Sequence, residues 1–176
     1  NQEARTVSGS HAYADNGTYT VTVTVKDDDG EAGSDTFQVT VSNVAPSLTF
    51  TGSSLNVAAD GQPIPFSAVR GQTLFFDGSF TDPGFDNLLN TDPATGGETE
   101  ETFTYRVHWG DGTADDWSVP ATTSGGPGVL TTGSFAAAHI YTREGSYTLT
   151  VTVTDDDTGE AEVVQRVRIA VFSPQV

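Results

Sequence analysis

Apolar and polar residues alternate strictly over 18–25. Tyr19, Val21, Val23 and Val25 fall on one side of an extended chain, and Thr18, Thr20, Thr22 and Thr24 on the other. A period of two predicts a strand with one buried and one wet face. The alternation returns at 147–154, with Tyr147, Leu149, Val151 and Val153 opposed to Thr148, Thr150, Thr152 and Thr154. Each run ends in three aspartates, 27–29 and 155–157, then a glycine turn. A second alternating run follows: Phe37, Val39 and Val41 in one place, Val167, Ile169 and Val171 in the other. Two such runs joined by an Asp/Gly turn predict a hairpin. Nothing along the chain shows a 3.6-residue period, so the expected class is an all-β sandwich.

The two hairpins are copies. His11 falls on His139, Tyr13 on Tyr141, Gly17 on Gly145, Tyr19 on Tyr147 and Asp27–Asp29 on Asp155–Asp157, an offset of 128 residues throughout. Recurrence at a fixed spacing marks a duplicated structural unit. Between the copies, Ser42-Asn43-Val44-Ala45-Pro46 reads as a short stiff linker, because proline fixes its own φ and pushes Ala45 toward extended geometry. The expected domains are therefore 1–45, the closing half of one unit plus linker, and 46–176, a complete unit. Further strands are expected at 48–50, 72–76 and 103–109, with long loops lacking strand pattern at 82–102 and 120–134. About 45 residues cannot build a sandwich alone. The first unit's opening strands are thus expected upstream of Asn1. Strand complementation at 11–43, by another chain or a neighbouring repeat, is expected to cover its apolar face and edges.

Charge narrows the partners. Among 176 residues there are 24 acidic and 7 basic side chains, a formal net charge of −17, and Lys26 is the only lysine. Without clustered Lys and Arg, no nucleic acid is expected as a partner, nor an anionic membrane. No window approaches the ~20 apolar residues of a membrane span, so no membrane insertion is expected. Such a carboxylate excess suits solvation at high salt or uptake of divalent cations. The chain has no cysteine, so the fold rests on core packing. No Ser, Cys or second His stands at a nucleophile spacing from His11 or His139, so no catalytic residue is assigned and no enzyme is expected. Glycoside hydrolysis by acidic residues of 82–116 would need two carboxylates ~5–10 Å apart across a cleft.

The segment Trp109-Gly110-Asp111-Gly112-Thr113, followed by His139-Ile140-Tyr141, Gly145, Tyr147-Thr148-Leu149-Thr150-Val151 and Asp155, resembles the PKD (polycystic kidney disease) domain, an immunoglobulin-like β-sandwich. The resemblance covers roughly 46–172 as a complete module and 11–43 as the second half of another. Two departures are the absent Asp-Phe between Trp109 and Gly110 and the longer loops. The resemblance implies a secreted or cell-surface protein, because such modules occur in tandem arrays, beside the catalytic domains of secreted hydrolases, and in adhesins or surface layers. A non-catalytic spacer, stalk or assembly unit of a larger surface or filament-forming protein follows. The alternative is a glycan- or polymer-binding accessory domain of a secreted hydrolase.

Asp77 to Asp86 is similar to the acidic loop in which some PKD modules hold calcium with a residue at the domain entrance. The expected set here is Asn43, Asp77, Asp82 and Asp86, with the turns at 27–29 and 155–157 as the other acidic places. Trp117, beside Asp115 and Asp116, and Tyr105 are the expected aromatic contacts for a sugar or partner. Trp109 alternates with Val107 and is expected in the core, and Asp111 in a structural turn. Asn16-Gly17-Thr18 fits both a glycosylation acceptor and an Asn-Gly turn, with the turn preferred.

Overall fold

The computed structural model describes residues 6–50, 66–88 and 99–171, and every regular element among them is a strand. β1 (Gly17–Lys26) and β2 (Ala32–Val41) form an antiparallel hairpin, in register from Gly17↔Val41 to Lys26↔Ala32, and pair only with each other among the described strands. Asp27, first of the three turn aspartates, accepts the Glu31 N–H at 2.8 Å.

The remaining strands build two four-stranded sheets. One is ordered β4 (Phe66–Val69), β10 (Glu160–Ala170), β9 (Gly145–Asp155), β6 (Phe103–His108). The other is ordered β3 (Ser47–Phe50), β5 (Thr73–Asp82), β8 (Thr131–Ile140), β7 (Ala121–Thr123). All neighbours are antiparallel except β4, which lies parallel to β10. The alternating residues face inward: Leu74, Phe76, Phe80 and Phe135 from one sheet, and Phe103, Val107, Leu149, Val151, Val153, Val167 and Ile169 from the other. Two sheets sharing one core of alternating side chains make an immunoglobulin-like sandwich. Trp109 and Tyr141, both 1% exposed, close one end, where the Tyr141 hydroxyl donates to the Trp109 carbonyl at 2.8 Å.

The structure corrects two loop expectations. Residues 77–82 continue β5, and 121–123 and 131–134 are strand. Glycine concealed both. Gly78 lies across from Phe135, and Gly133 across from Phe80. A Cβ on Gly78 would sit 2.0 Å from the Phe135 ring, and one on Gly133 would sit 2.1 Å from the Phe80 ring. These glycines are thus the small halves of cross-strand aromatic pairs, which residue propensity scores as strand breakers.

The two hairpins differ in what covers them. Leu149, Val151 and Val153 are 0% exposed, whereas their counterparts Val21 and Val23 are half-buried and Val25 is 61% exposed. Burying one such side chain fully contributes about 1.5–3 kcal/mol. The first hairpin forgoes much of that.

Candidate functional site

Several stretches of chain meet where the hairpin joins the sandwich. Asp15 stands just ahead of β1 and Asn43 just after β2. From the sandwich come Asp82 at the end of β5, Glu101 ahead of β6, and Asp155 to Asp157 in the β9–β10 turn. Strand parity decides which carboxyls turn inward. Asp82 is the last of the inward series Phe76, Gly78, Phe80, Asp82 and is 2% exposed, while Asp155 extends Leu149, Val151, Val153 and is 5% exposed.

Hydrogen bonds join the two units. Asn43 Nδ2 donates to Asp155 Oδ2 at 2.8 Å, and the Phe85 N–H donates to the Ala14 carbonyl at 3.1 Å. The Gly159 N–H donates to Asp155 Oδ1 at 2.6 Å, and the Thr102 N–H to Asp156 at 3.2 Å. Asp82 Oδ1 accepts the Gly84 N–H at 2.7 Å, but its Oδ2 is buried without a hydrogen-bond partner. The Glu101 carboxylate lies over Gly84, where an added Cβ would stand 2.1 Å from Glu101 Oε2 and 3.1 Å from Asp82 Oδ1. A cavity of about 70 Å³ opens here, with Asp15, Asn43, Asp82 and Glu101 in its wall. That exceeds the volume one water needs.

The charges are unbalanced. Among the described residues no Lys or Arg forms an ion pair with these carboxylates. Burial, then the charges of Asp156, Asp82, Asp15 and Asp155, pushes Glu101 up to about 8. Burial also raises Asp82, against the Gly84 hydrogen bond and with Asp155 and Asp156 adding to it. Asp15 is raised by burial and by its contact with Asp157. Crowded carboxyls without a counter-charge either keep protons or take up a cation. Among the described residues no three acidic or histidine side chains already stand as a closed metal-ligand set. The features that suit a cation are the orphaned Asp82 oxygen and the Gly84 cradle.

Of the expected calcium set, the structure brings Asn43 and Asp82 to this junction. Asp86 sits behind it, accepting the Glu101 N–H at 2.9 Å while its own N–H donates to Ser124 Oγ at 2.9 Å. Asp77 is left out. Five residues up β5, it lies roughly 17 Å away along the strand and faces outward by parity. The turn at 155–157 does contribute, whereas Asp27–Asp29 are exposed in the hairpin turn. No pattern in the sequence singles out Asp15 or Glu101.

The other end of the sandwich carries an aromatic series. The Trp109 and His139 rings stack at 4.6 Å, His139 meets Tyr141 edge-on at 4.7 Å, and Tyr141 stacks on Tyr147 at 4.5 Å. His139 Nε2 meets Asp111 Oδ2 at 2.8 Å. Burial opposes ionisation of Asp111, but hydrogen bonds from Thr113 and His139 outweigh it and hold the carboxyl below its usual range. Asp111, Thr113 and His139 thereby tie the Gly110–Thr113 turn down. The first hairpin repeats part of the series: His11 meets Tyr13 at 4.7 Å, and Tyr13 stacks on Tyr19 at 4.3 Å.

Tyr105 packs against Phe135 and donates its hydroxyl to the Ala136 carbonyl at 3.1 Å, so it serves the sheet-to-sheet contact. Trp117 is 48% exposed on the outer face of the β4-β10-β9-β6 sheet.

Fold and site together define an immunoglobulin-like β-sandwich unit joined, through a carboxylate-rich junction, to a copy of its own closing hairpin. Residues 1–41 match the family model of the PKD domain. The 128-residue repeat places a copy of the matched hairpin in the second unit. PKD domains are typically non-catalytic modules of extracellular or secreted proteins. Among solved structures, the PKD domain of an M14-like peptidase from Thermoplasmatales archaeon SCGC AB-540-F20 is similar, at 19% identity and a TM-score of 0.42, over 73% of this chain and 98% of that one. A search of curated proteins finds no match. No helix among the described residues is long and apolar enough to cross a membrane.

Proposed function

We propose that this chain is a structural and interaction segment of a secreted or cell-surface protein, in which sandwich units are set end to end and a calcium ion fixes the junction between them. The observation that carries this reading is Asp82 Oδ2, buried and unpartnered where Asn43 of the linker meets Asp155 of the sandwich. Calcium takes six to eight oxygen ligands. Asp82, Glu101 and Asp155 would hold it, with the linker's Asn43 beside them. The ion would neutralise the carboxylates and replace the protons that Glu101 and Asp82 now favour. It would also tie Asn43 to the sandwich and make the linker rigid. The open face of the β1–β2 hairpin supports assembly by strand complementation with a neighbouring repeat or another chain.

The test is thermal unfolding of chelator-treated protein with and without calcium. A melting temperature that rises with calcium concentration, by mass action on the native state, is expected. An identical melt at millimolar calcium overturns the junction site.

A further inference from the structure

The outer face of the β4-β10-β9-β6 sheet carries a second, separate feature. Residues 114–118 run along the edge of β6: the Asp115 N–H donates to the Val107 carbonyl at 2.9 Å, and Tyr105 and Ser118 exchange both backbone hydrogen bonds, at 2.8 and 2.9 Å. Trp109 Nε1 donates to Asp115 Oδ1 at 2.9 Å, and Arg106 Nε to the Asp115 carbonyl at 3.0 Å. This fixes the backbone on both sides of Trp117, so its half-exposed indole is held on the sheet face instead of swinging on a free loop. Registry sets the groups beside it. Arg106, Thr152 and Glu162 form one row across three strands, with His108 opposite Thr150 in the next row and Glu160 opposite Thr154 on the far side. Arg106, His108, Thr150, Thr152, Glu160 and Glu162 line a shallow groove with Trp117.

The chemistry of this groove is specific. It offers one flat apolar surface ringed by both donors and acceptors, and Trp117 is its only large apolar group. An apolar peptide side chain would find no pocket to fill. An anionic ligand would meet one arginine, two glutamates and a chain of net charge −17. A pyranose ring has the matching shape, an apolar C–H face that stacks on an indole and a rim of hydroxyls that both donate and accept.

We infer that this groove is a binding site for neutral polysaccharide, with Trp117 as the stacking platform and Arg106, Thr152 and Glu162 as its hydrogen-bonding rim. The site stands apart from the junction carboxylates. Binding is therefore expected with calcium removed, and its failure leaves the calcium reading untouched.

The test is co-sedimentation of the whole chain, in chelator, with insoluble cellulose, chitin, β-glucan and mannan, and with gelatin as the protein control. Retention on at least one polysaccharide is expected, weakened about tenfold or more by Trp117→Ala, the equivalent of about 1.4 kcal/mol. Should Trp117→Ala fail to fold, Glu162→Gln and titration of the Trp117 indole N–H resonance with a soluble oligosaccharide serve instead. Weaker retention and a shift confined to that indole are then expected. Retention on no polysaccharide, equal retention of wild type and Trp117→Ala, or retention on gelatin alone overturns the site.

Discussion

Asp82 and Glu101 show how position can reverse a carboxylate's ordinary preference. Each is drawn into the junction near a strand end, where burial first, and neighbouring carboxylates second, oppose its charge. Both are therefore held above the usual carboxylate range, Glu101 at about 8. The native state then holds protons that the unfolded chain releases above its ordinary value near 4.5. Stability must accordingly fall as pH rises between that value and about 8. Calcium-free protein is expected to melt at a lower temperature at pH 8.5 than at pH 5, with most of the difference removed by calcium. Calorimetry across pH, with and without chelator, checks this. Asp82→Asn keeps the shape and the acceptor for the Gly84 N–H while deleting the buried charge. It is expected to raise the calcium-free melting temperature at pH 8 by about 2–4 °C, on the scale of 1 kcal/mol in a domain of this size, and to abolish the calcium response. A variant that melts lower yet still responds to calcium would contradict this placement of the charge.

At the scale of elements, the β5–β8 ladder depends on unlike partners. Gly78 opposite Phe135 and Phe80 opposite Gly133 give each ring the space of a side chain. Gly133→Val would drive two methyl groups into the Phe80 ring, which is 1% exposed and cannot yield to solvent. A loss of about 1–3 kcal/mol is expected from overpacking, measured by chemical denaturation, whereas Gly126→Val, in an open loop with nothing within 4 Å of its Cβ position, serves as the neutral control. The same ladder explains why 77–82 and 131–134 read as loop from residue types. Gly78-Ser79 and Gly133-Ser134 interrupt the strand pattern of both stretches. Their pairing is decided by aromatic rings on the neighbouring strand. By contrast, the β9–β10 hairpin was legible because most of its inward positions are themselves apolar, with Asp155 and Gln165 the buried exceptions.

At the scale of the whole molecule, two copies of one hairpin occupy different environments. Tyr141 has the Trp109 carbonyl, and His139 has Asp111 and the Trp109 ring. Phe37, on the open hairpin, is 54% exposed. If strands from elsewhere complete that face, Phe37→Ser and Val23→Ser should reduce self-association or capture of a peptide spanning 101–115, read by sedimentation velocity and fluorescence anisotropy. Equal behaviour of wild type and variants would argue against complementation. The all-β class, the repeat and the buried Trp109 were determined by sequence alone, because period-two alternation and a duplicated motif are local records of burial. The position of Asn43 against Asp155, the isolation of Asp77, the inclusion of Glu101 and the footing of Trp117 on an outer face were decided only by tertiary structure. Strand parity and sheet register bring together residues up to 112 positions apart, and that closeness has no counterpart in their spacing along the chain.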